Sequence, residues 1–160
     1  MPVSVKRPEL HGRPDFAREL LEEHGELWAR IATWSMAPLL QPGDLVKLEP
    51  CATRLSQGEC VAIDDTDRLL IHRVVAINRG LVIAKGGALS CADPPRPWTS
   101  LIGRVREIQR GRSVRGRIGT RWASAFLGAY SLGVSRLGLP PSGPAWRSSR
   151  VPFYLLARFE

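Results

Sequence analysis

The stretch GECVAIDDTDRLLIHRVVAINRGLVIAK, residues 58–85, decides the fold, because short apolar runs alternate in it with turn-forming residues. Two apolar runs, 59–63 and 69–77, flank the polar residues 64–67, and an Arg-Gly dipeptide separates the second run from a third at 81–85. Short apolar runs bounded by polar or glycine-containing turns are typical of antiparallel hairpins. The stretch therefore predicts three consecutive strands joined by tight turns.

Further elements are predicted on both sides of this stretch. Residues 27–34 alternate loosely between apolar and polar positions, residues 45–48 follow a Pro-Gly turn, and residues 101–109 form a last strand. Residues 14–24 predict a short amphipathic helix, because proline suits the first helical turn and Gly25 suits the end. The pattern as a whole predicts a mainly β protein with an antiparallel, partly closed sheet.

The chain divides into three regions by composition: a helical lead-in at 1–26, a β domain at 27–110 and a C-terminal extension at 111–160. The net charge of +8 is unevenly placed, since residues 1–103 hold 12 basic and 13 acidic side chains, whereas residues 104–160 hold 11 arginines and 2 glutamates. A basic block of this kind suits nucleic acid, anionic lipid or an acidic peptide, and a solvated tail is the alternative.

The C-terminal extension also contains the only membrane candidate of the sequence, WASAFLGAYSLGVSRLGL at 122–139. Three glycines, three serines and Arg136 disfavour a bilayer span for this segment. The N-terminus shows no apolar core of a secretory signal. We therefore expect residues 111–160 to attach to an anionic membrane surface or to a partner. The alternative is a helix that packs on the β domain.

The three cysteines, Cys51, Cys60 and Cys91, fit neither a paired disulfide framework nor a zinc site. Cys51 and Cys60 could pair and leave Cys91 free, but reduced thiols in a cytoplasmic protein are the simpler interpretation. The acidic residues Asp64, Asp65 and Asp67 could suggest a metal, yet solvation of a hairpin turn explains them better. We therefore expect no metal and no cofactor.

Residues suited to nucleophilic catalysis occur in one combination. A serine hydroxyl needs a base within hydrogen-bond reach and donors for the developing oxyanion. Ser35 lies beside a predicted turn, His72 lies within a predicted strand, and Asp93 lies in a loop rich in Gly and Pro. Each of these residues alone is an ordinary turn or strand residue. Their combination predicts a serine hydrolase.

Three blocks of the sequence resemble one family of serine peptidases. SMAPLLQPGD at 35–44 resembles the S-M-x-P and G-D signature of type I signal peptidases and their LexA-like relatives. IHRVVAI at 71–77 resembles the block that carries the base, which is lysine in bacterial leader peptidases and histidine in the endoplasmic-reticulum, archaeal and sporulation-type branch. KGGALSCADP at 85–94, followed by LIGRV at 101–105, resembles the K-G-D-x-N…D-D and I-G-x-V blocks of that branch.

The resemblance implies a LexA/signal-peptidase-like fold and a role for each matching residue. It assigns Ser35 as nucleophile, His72 as general base and Asp93 as the acid that orients the histidine. The backbone N–H of Ser35 and the hydroxyl of Thr33 would stabilise the oxyanion. The wall of the substrate site beside the scissile bond is assigned to Met36 and Pro38.

The implied function is a serine endopeptidase that removes a leader or signal segment from a precursor peptide or protein. Gly87 departs from the family pattern, which has Asp there, and the family's N-terminal membrane anchor is not found, so we expect a cytoplasmic enzyme, with the membrane reached peripherally. A LexA-like self-cleaving repressor is disfavoured because only 34 residues precede Ser35 and the base is not lysine. Gly87 supports the other alternative, a non-catalytic peptide-binding or regulatory module. No specific nucleic acid is expected as a partner.

Overall fold

The computed structural model describes residues 13–51 and 54–117 of the chain. This part contains one α-helix, eight strands and a single 3₁₀ turn at Trp98–Ser100, so the expected mainly β fold is confirmed. The elements are α1 Pro14–His24, β1 Leu27–Arg30, β2 Leu45–Pro50, β3 Cys60–Asp65, β4 Arg68–Asn78, β5 Leu81–Lys85, β6 Arg96–Pro97, β7 Leu101–Arg110 and β8 Ser113–Arg117.

All eight strands belong to one antiparallel sheet. The strand order is β1-β2-β7-β3-β4-β5-β6, and β8 pairs with β7. β7 returns across the chain to lie between β2 and β3, with Leu45 opposite Gln109 and Ala62 opposite Gly103. The sheet is not closed, since β1 and β6, the two ends of the strand order, do not pair in the described part of the chain.

The predicted bounds of single elements agree best with the structure where a glycine marks the adjacent turn. The helix at 14–24 and the strand at 81–85 have the predicted bounds. The first strand, expected to reach Trp34, ends at Arg30, because the chain turns before Ser35. The sheet also continues past the expected domain end at residue 110, since β8 pairs with β7.

Two apolar clusters hold the sheet together. The larger one lies under α1 and contains side chains of the helix, of β1, β2 and β7, and of the segment after Ser35. α1 approaches β7 closely at Gly103, where a Cβ atom would lie 2.8 Å from Leu21 Cδ2 and 2.7 Å from the Glu49 carbonyl oxygen. The smaller cluster joins β3, β4, β5 and the start of β7. Its buried members are Val61, Ile63, Val74, Val82, Ala84 and Leu101.

The cysteines are free thiols, so Cys51 and Cys60 are not paired. Burial raises the pKa of Cys51 to about 11 and also raises that of Cys60, so both thiols are protonated near neutral pH. Within the described ranges, no helix has the length and apolar character needed to cross a bilayer. The membrane candidate at 122–139 lies outside the described residues, as does most of the extension that was expected to attach to a membrane or a partner.

Candidate functional site

Ser35 lies in the segment that connects β1 to β2. The chain turns at this point, with the Ala37 N–H donating to the Trp34 carbonyl oxygen at 3.0 Å. The serine is half-buried, and its Oγ lies 3.2 Å from the Thr33 Oγ1, so the two hydroxyls share a hydrogen bond. The segment therefore brings together Ser35 and Thr33, the two residues that were expected to form one reaction centre.

His72 lies in the middle of β4, opposite Val61 of β3, and its side chain is only 2% exposed. The His72 Nδ1 lies 2.6 Å from Asp93 Oδ2, so the predicted contact between these residues is confirmed. Asp93 is itself held by its backbone, since its N–H donates to the Ala84 carbonyl oxygen at 2.8 Å. A carboxylate at Nδ1 favours the proton on that nitrogen, which leaves Nε2 of a neutral imidazole as the acceptor.

The His72 Nε2 atom is buried, and the described residues provide no hydrogen-bond partner for it. The predicted hydrogen bond between Ser35 and His72 is therefore not formed, and Ser35 Oγ shares a hydrogen bond with Thr33 Oγ1 instead. A buried polar nitrogen without a partner is costly, so such groups are rare in folded proteins, and a catalytic role is one of their recognised explanations. The imidazole is thus oriented by Asp93 through Nδ1, and in the neutral tautomer that this contact favours its Nε2 is a hydrogen-bond acceptor.

The loop at 86–93 contacts both Ser35 and His72. β5 ends at Lys85, which pairs with Arg73, the residue after His72. Directly beyond this pair, the Ala88 N–H donates to the Ser35 carbonyl oxygen at 2.9 Å. The same loop ends at Asp93, which contacts the histidine. One loop therefore contacts the backbone of the serine at its start and the imidazole at its end.

Two glycines allow this loop to approach the serine segment. A Cβ atom on Gly86 would lie 2.6 Å from the Ser35 carbonyl oxygen, which is too close for any larger residue. A Cβ atom on Gly87 would lie 3.1 Å from the Ala37 carbonyl oxygen and 3.4 Å from that of Met36. Glycine at position 87, where the resembling family has Asp, therefore has a steric explanation in this chain, because it packs against the backbone that follows the serine.

The two residues assigned to the substrate wall differ in exposure. Met36 is 2% exposed and packs in the larger core cluster, whereas Pro38, joined to Ala37 by a cis peptide bond, is half-buried. The exposed apolar side chains next to the serine are instead Trp34, its neighbour in sequence, and Leu89. Leu89 lies close to the Ser35 backbone, because a Cβ atom on Gly86 would be 2.8 Å from Leu89 Cδ1 and 2.6 Å from the Ser35 carbonyl oxygen.

Sequence reasoning did not predict that Trp34 and Leu89 would lie exposed near the serine, nor that Lys85 would be buried. Lys85 is fully buried at the end of β5, and burial lowers the pKa of its amine below the ordinary value. The signal that could have found Trp34 is its type, since a large aromatic residue directly before a turn serine is uncommon in a solvated loop. Within the described residues, no three His, Cys, Asp or Glu side chains are grouped in a way that would hold a metal ion.

Comparison of the chain with protein-family models and with curated proteins finds no match. The resemblance to signal peptidases therefore rests on the three sequence blocks, and the chemistry rests on the contacts described above.

Proposed function

We propose that the chain is a serine endopeptidase of the signal-peptidase type, with Ser35 as nucleophile, His72 as general base and Asp93 as the residue that orients the base. The observation that supports it most is the state of His72: Nδ1 is bound to Asp93 at 2.6 Å, and the buried Nε2 has no hydrogen-bond partner within residues 13–51 and 54–117. Order and spacing of the three sequence blocks favour the finer assignment to a LexA/signal-peptidase-like fold.

In this proposal the reaction begins with rotation of the Ser35 hydroxyl from Thr33 toward His72. Rotamer changes of this kind are fast, so the hydrogen bond to Thr33 is no obstacle. The serine oxygen attacks the scissile carbonyl carbon while Nε2 takes the hydroxyl proton. The imidazolium then gives that proton to the leaving amine, and water hydrolyses the acyl-enzyme ester with His72 again acting as base.

The oxyanion of the tetrahedral intermediate needs donors that are fixed before the reaction. We assign this role to the backbone N–H of Ser35 and to the hydroxyl of Thr33, which already lies within hydrogen-bond distance of the serine. Once the serine hydroxyl has turned away, the Thr33 hydroxyl is available for the substrate oxygen. The loss of one such donor typically lowers the rate by about 10²–10³-fold.

The substrate in this proposal is a precursor peptide or protein that carries a leader or signal segment. Trp34, which is 45% exposed, and Leu89, which is 39% exposed, lie beside the nucleophile, and we assign them to contact with apolar residues near the scissile bond. We further propose that the enzyme acts in the cytoplasm and that its C-terminal extension reaches an anionic membrane surface. Flotation with anionic vesicles that is lost in high salt tests the membrane part.

The test of the activity is labelling of the protein with a fluorophosphonate, followed by mass-spectrometric mapping of the modified residue. We expect label on Ser35, none in Ser35→Ala, and labelling slowed by about 10²–10⁴-fold in His72→Gln. Ser90→Ala is the matched control, because Ser90 is an exposed serine of the loop that also carries Asp93. Label on another residue, or none in the wild type, would favour the non-catalytic module instead.

A further inference from the structure

The segment that carries Ser35 has no strand of its own and must be held by other contacts. It leaves β1 and returns to β2 through a closed stem, in which the Ile31 N–H donates to the Asp44 carbonyl oxygen at 2.8 Å and the Gly43 N–H donates to that of Ile31 at 2.9 Å. This stem fixes the two ends of the segment. It does not by itself fix the residues near the serine, which lie several residues from the stem.

The Asp44 carboxylate extends the support into the segment. Asp44 is 2% exposed, and its Oδ2 accepts the Gln41 N–H at 2.9 Å. Arg110, at the end of β7, donates from Nε to Oδ1 at 2.7 Å and from Nη2 to Oδ2 at 2.6 Å. A bidentate pair of this kind fixes direction as well as distance, because the planar guanidinium matches the carboxylate.

Arg110 also reaches the part of the segment nearest the serine. Its Nη2 donates to the Leu39 carbonyl oxygen at 3.2 Å. The next residue, Leu40, donates its N–H to the Met36 carbonyl oxygen at 3.1 Å, which closes one turn that begins directly after Ser35. A chain of hydrogen bonds therefore runs from β7 through Leu39 and Leu40 to the residue that follows the serine.

We propose that Arg110 and Asp44 are positioning residues that hold the Ser35 segment in the orientation needed for proton transfer to His72, an inference that rests on the proposed function. Lysine would keep the charge of Arg110 but could not make the two parallel bonds to Asp44 and the bond to Leu39 together. The serine would then keep its surroundings and lose its alignment. Misplacement of a reacting group by about 1 Å can cost about 10²-fold in rate.

The test compares Arg110→Lys with Arg106→Lys. Arg106 lies on the same strand, its side chain is about as exposed as that of Arg110, and it donates from Nε to Glu49 Oε2 at 2.9 Å, outside the Ser35 segment. The rate of fluorophosphonate labelling is measured across pH at a temperature at which both variants are folded. Amide hydrogen exchange of Leu40 and Ala88 is measured in parallel, since these N–H groups report on the turn and on the loop contact.

We expect Arg110→Lys to label about 10–100-fold more slowly, with the midpoint of its pH profile unchanged and faster exchange at Leu40 and Ala88. Arg106→Lys should stay within about twofold of the wild type. Slowing that is equal in the two variants, or slow labelling with unchanged exchange, overturns the inference. Asp44→Asn, which keeps the side-chain shape and removes the charge, must reproduce the effect, and it replaces Arg110→Lys if that variant does not fold.

The two proposals fail in different ways. If the wild type is not labelled at Ser35, the proposed function is wrong and the positioning role falls with it, although faster exchange in Arg110→Lys would still show that the pair holds the segment. If the wild type is labelled and the two arginine variants behave alike, the proposed function stands and only the positioning role is wrong.

Discussion

Two carboxylates, the buried Asp44 and the half-buried Asp93, hold the two loops of the candidate site, and they do so with different partners. Asp44 closes the loop that carries Ser35 and is bound by Arg110. Asp93 closes the loop after β5 and is bound by His72. An arginine stays charged at every accessible pH, whereas a histidine gains and loses a proton near neutrality. Under the proposed function, the same kind of contact thus serves as a fixed support in one loop and orients a general base in the other.

The difference in exposure agrees with this division. The Asp44 side chain is 3% exposed and the Asp93 side chain 15%, so the structural carboxylate is the more enclosed of the two. A buried carboxylate that loses its partner costs stability, because the charge is left uncompensated. Loss of a carboxylate that orients a catalytic imidazole lowers the reaction rate more than it lowers the stability of the fold. Changes at the two positions should therefore affect different measurements.

Asp93→Asn is expected to have the largest effect on the rate. The amide keeps the shape of the side chain but can favour the wrong tautomer of His72, so labelling of Ser35 should fall by up to about 10⁴-fold. The melting temperature should fall less than in Asp44→Asn, which serves as the comparison. If Asp93→Asn labels at the wild-type rate, His72 and Ser35 act as a simple dyad and the contact of 2.6 Å is only structural.

The difference between the two loops also explains what could be predicted from the sequence. The strands followed from apolar runs bounded by turns, and β5 has the predicted bounds because Gly80 marks its start. The contact of Asp93 with His72 was predicted only through the family resemblance. Nothing local in the sequence pairs Asp44 with Arg110, because the two residues are 66 positions apart and meet only when β7 lies beside β2.

The exposure of side chains near the serine was the least predictable part. Met36 was assigned to the substrate wall, but sequence periodicity does not apply in an irregular turn, and the side chain packs in the core. Trp34 differs from expectation in the opposite direction: tryptophan is usually largely buried, but this side chain is 45% exposed. In a turn, the direction of a side chain depends on backbone angles that are set by distant contacts.

Gly87→Asp tests the loop after β5 by restoring the residue type of the resembling family. The new Cβ would lie 3.1 Å from the Ala37 carbonyl oxygen, so the loop must move away from the serine segment by a few tenths of an ångström. We expect labelling of Ser35 to fall about 10-fold, since small displacements of reacting groups are costly. Ser90→Ala controls for changes in the loop. An increase in rate would show that the added carboxylate speeds the reaction more than the displacement of the loop slows it.

Trp34→Ala should have a more selective effect, confined to peptide substrates. Its side chain is assigned to the substrate, so kcat/KM for peptides with apolar residues near the cut should fall about 10-fold, as expected for lost apolar contact of 1–2 kcal/mol. Labelling by a small fluorophosphonate should change less, because that probe lacks the apolar peptide side chains that Trp34 is assigned to contact. Phe16→Ala is the control, since Phe16 is an equally exposed apolar residue on the helix. Equal losses in both variants would remove Trp34 from the substrate site.

The smallest effect is expected at Lys85, where the fold carries a buried amine at the end of β5. Burial lowers the pKa of Lys85 in the folded chain, while the unfolded chain keeps the ordinary value of 10.5. The unfolded state therefore binds more protons between these two values, and the contribution of Lys85 to the free energy of unfolding must rise with pH in this window. The penalty is fully present below the folded-state pKa and is gone above 10.5.

Lys85→Met isolates this contribution, because it keeps the length of the side chain and removes the titration. The stability of the variant minus that of the wild type should be most positive near neutral pH and should decrease as the pH approaches 10.5. Cys51 and Cys60 act in the opposite direction, since their raised pKa values make the folded state hold protons that the unfolded state loses. The difference between the two proteins cancels that cysteine contribution. Urea denaturation at several pH values measures it, and a difference that does not change with pH would show that Lys85 keeps an ordinary pKa despite its burial.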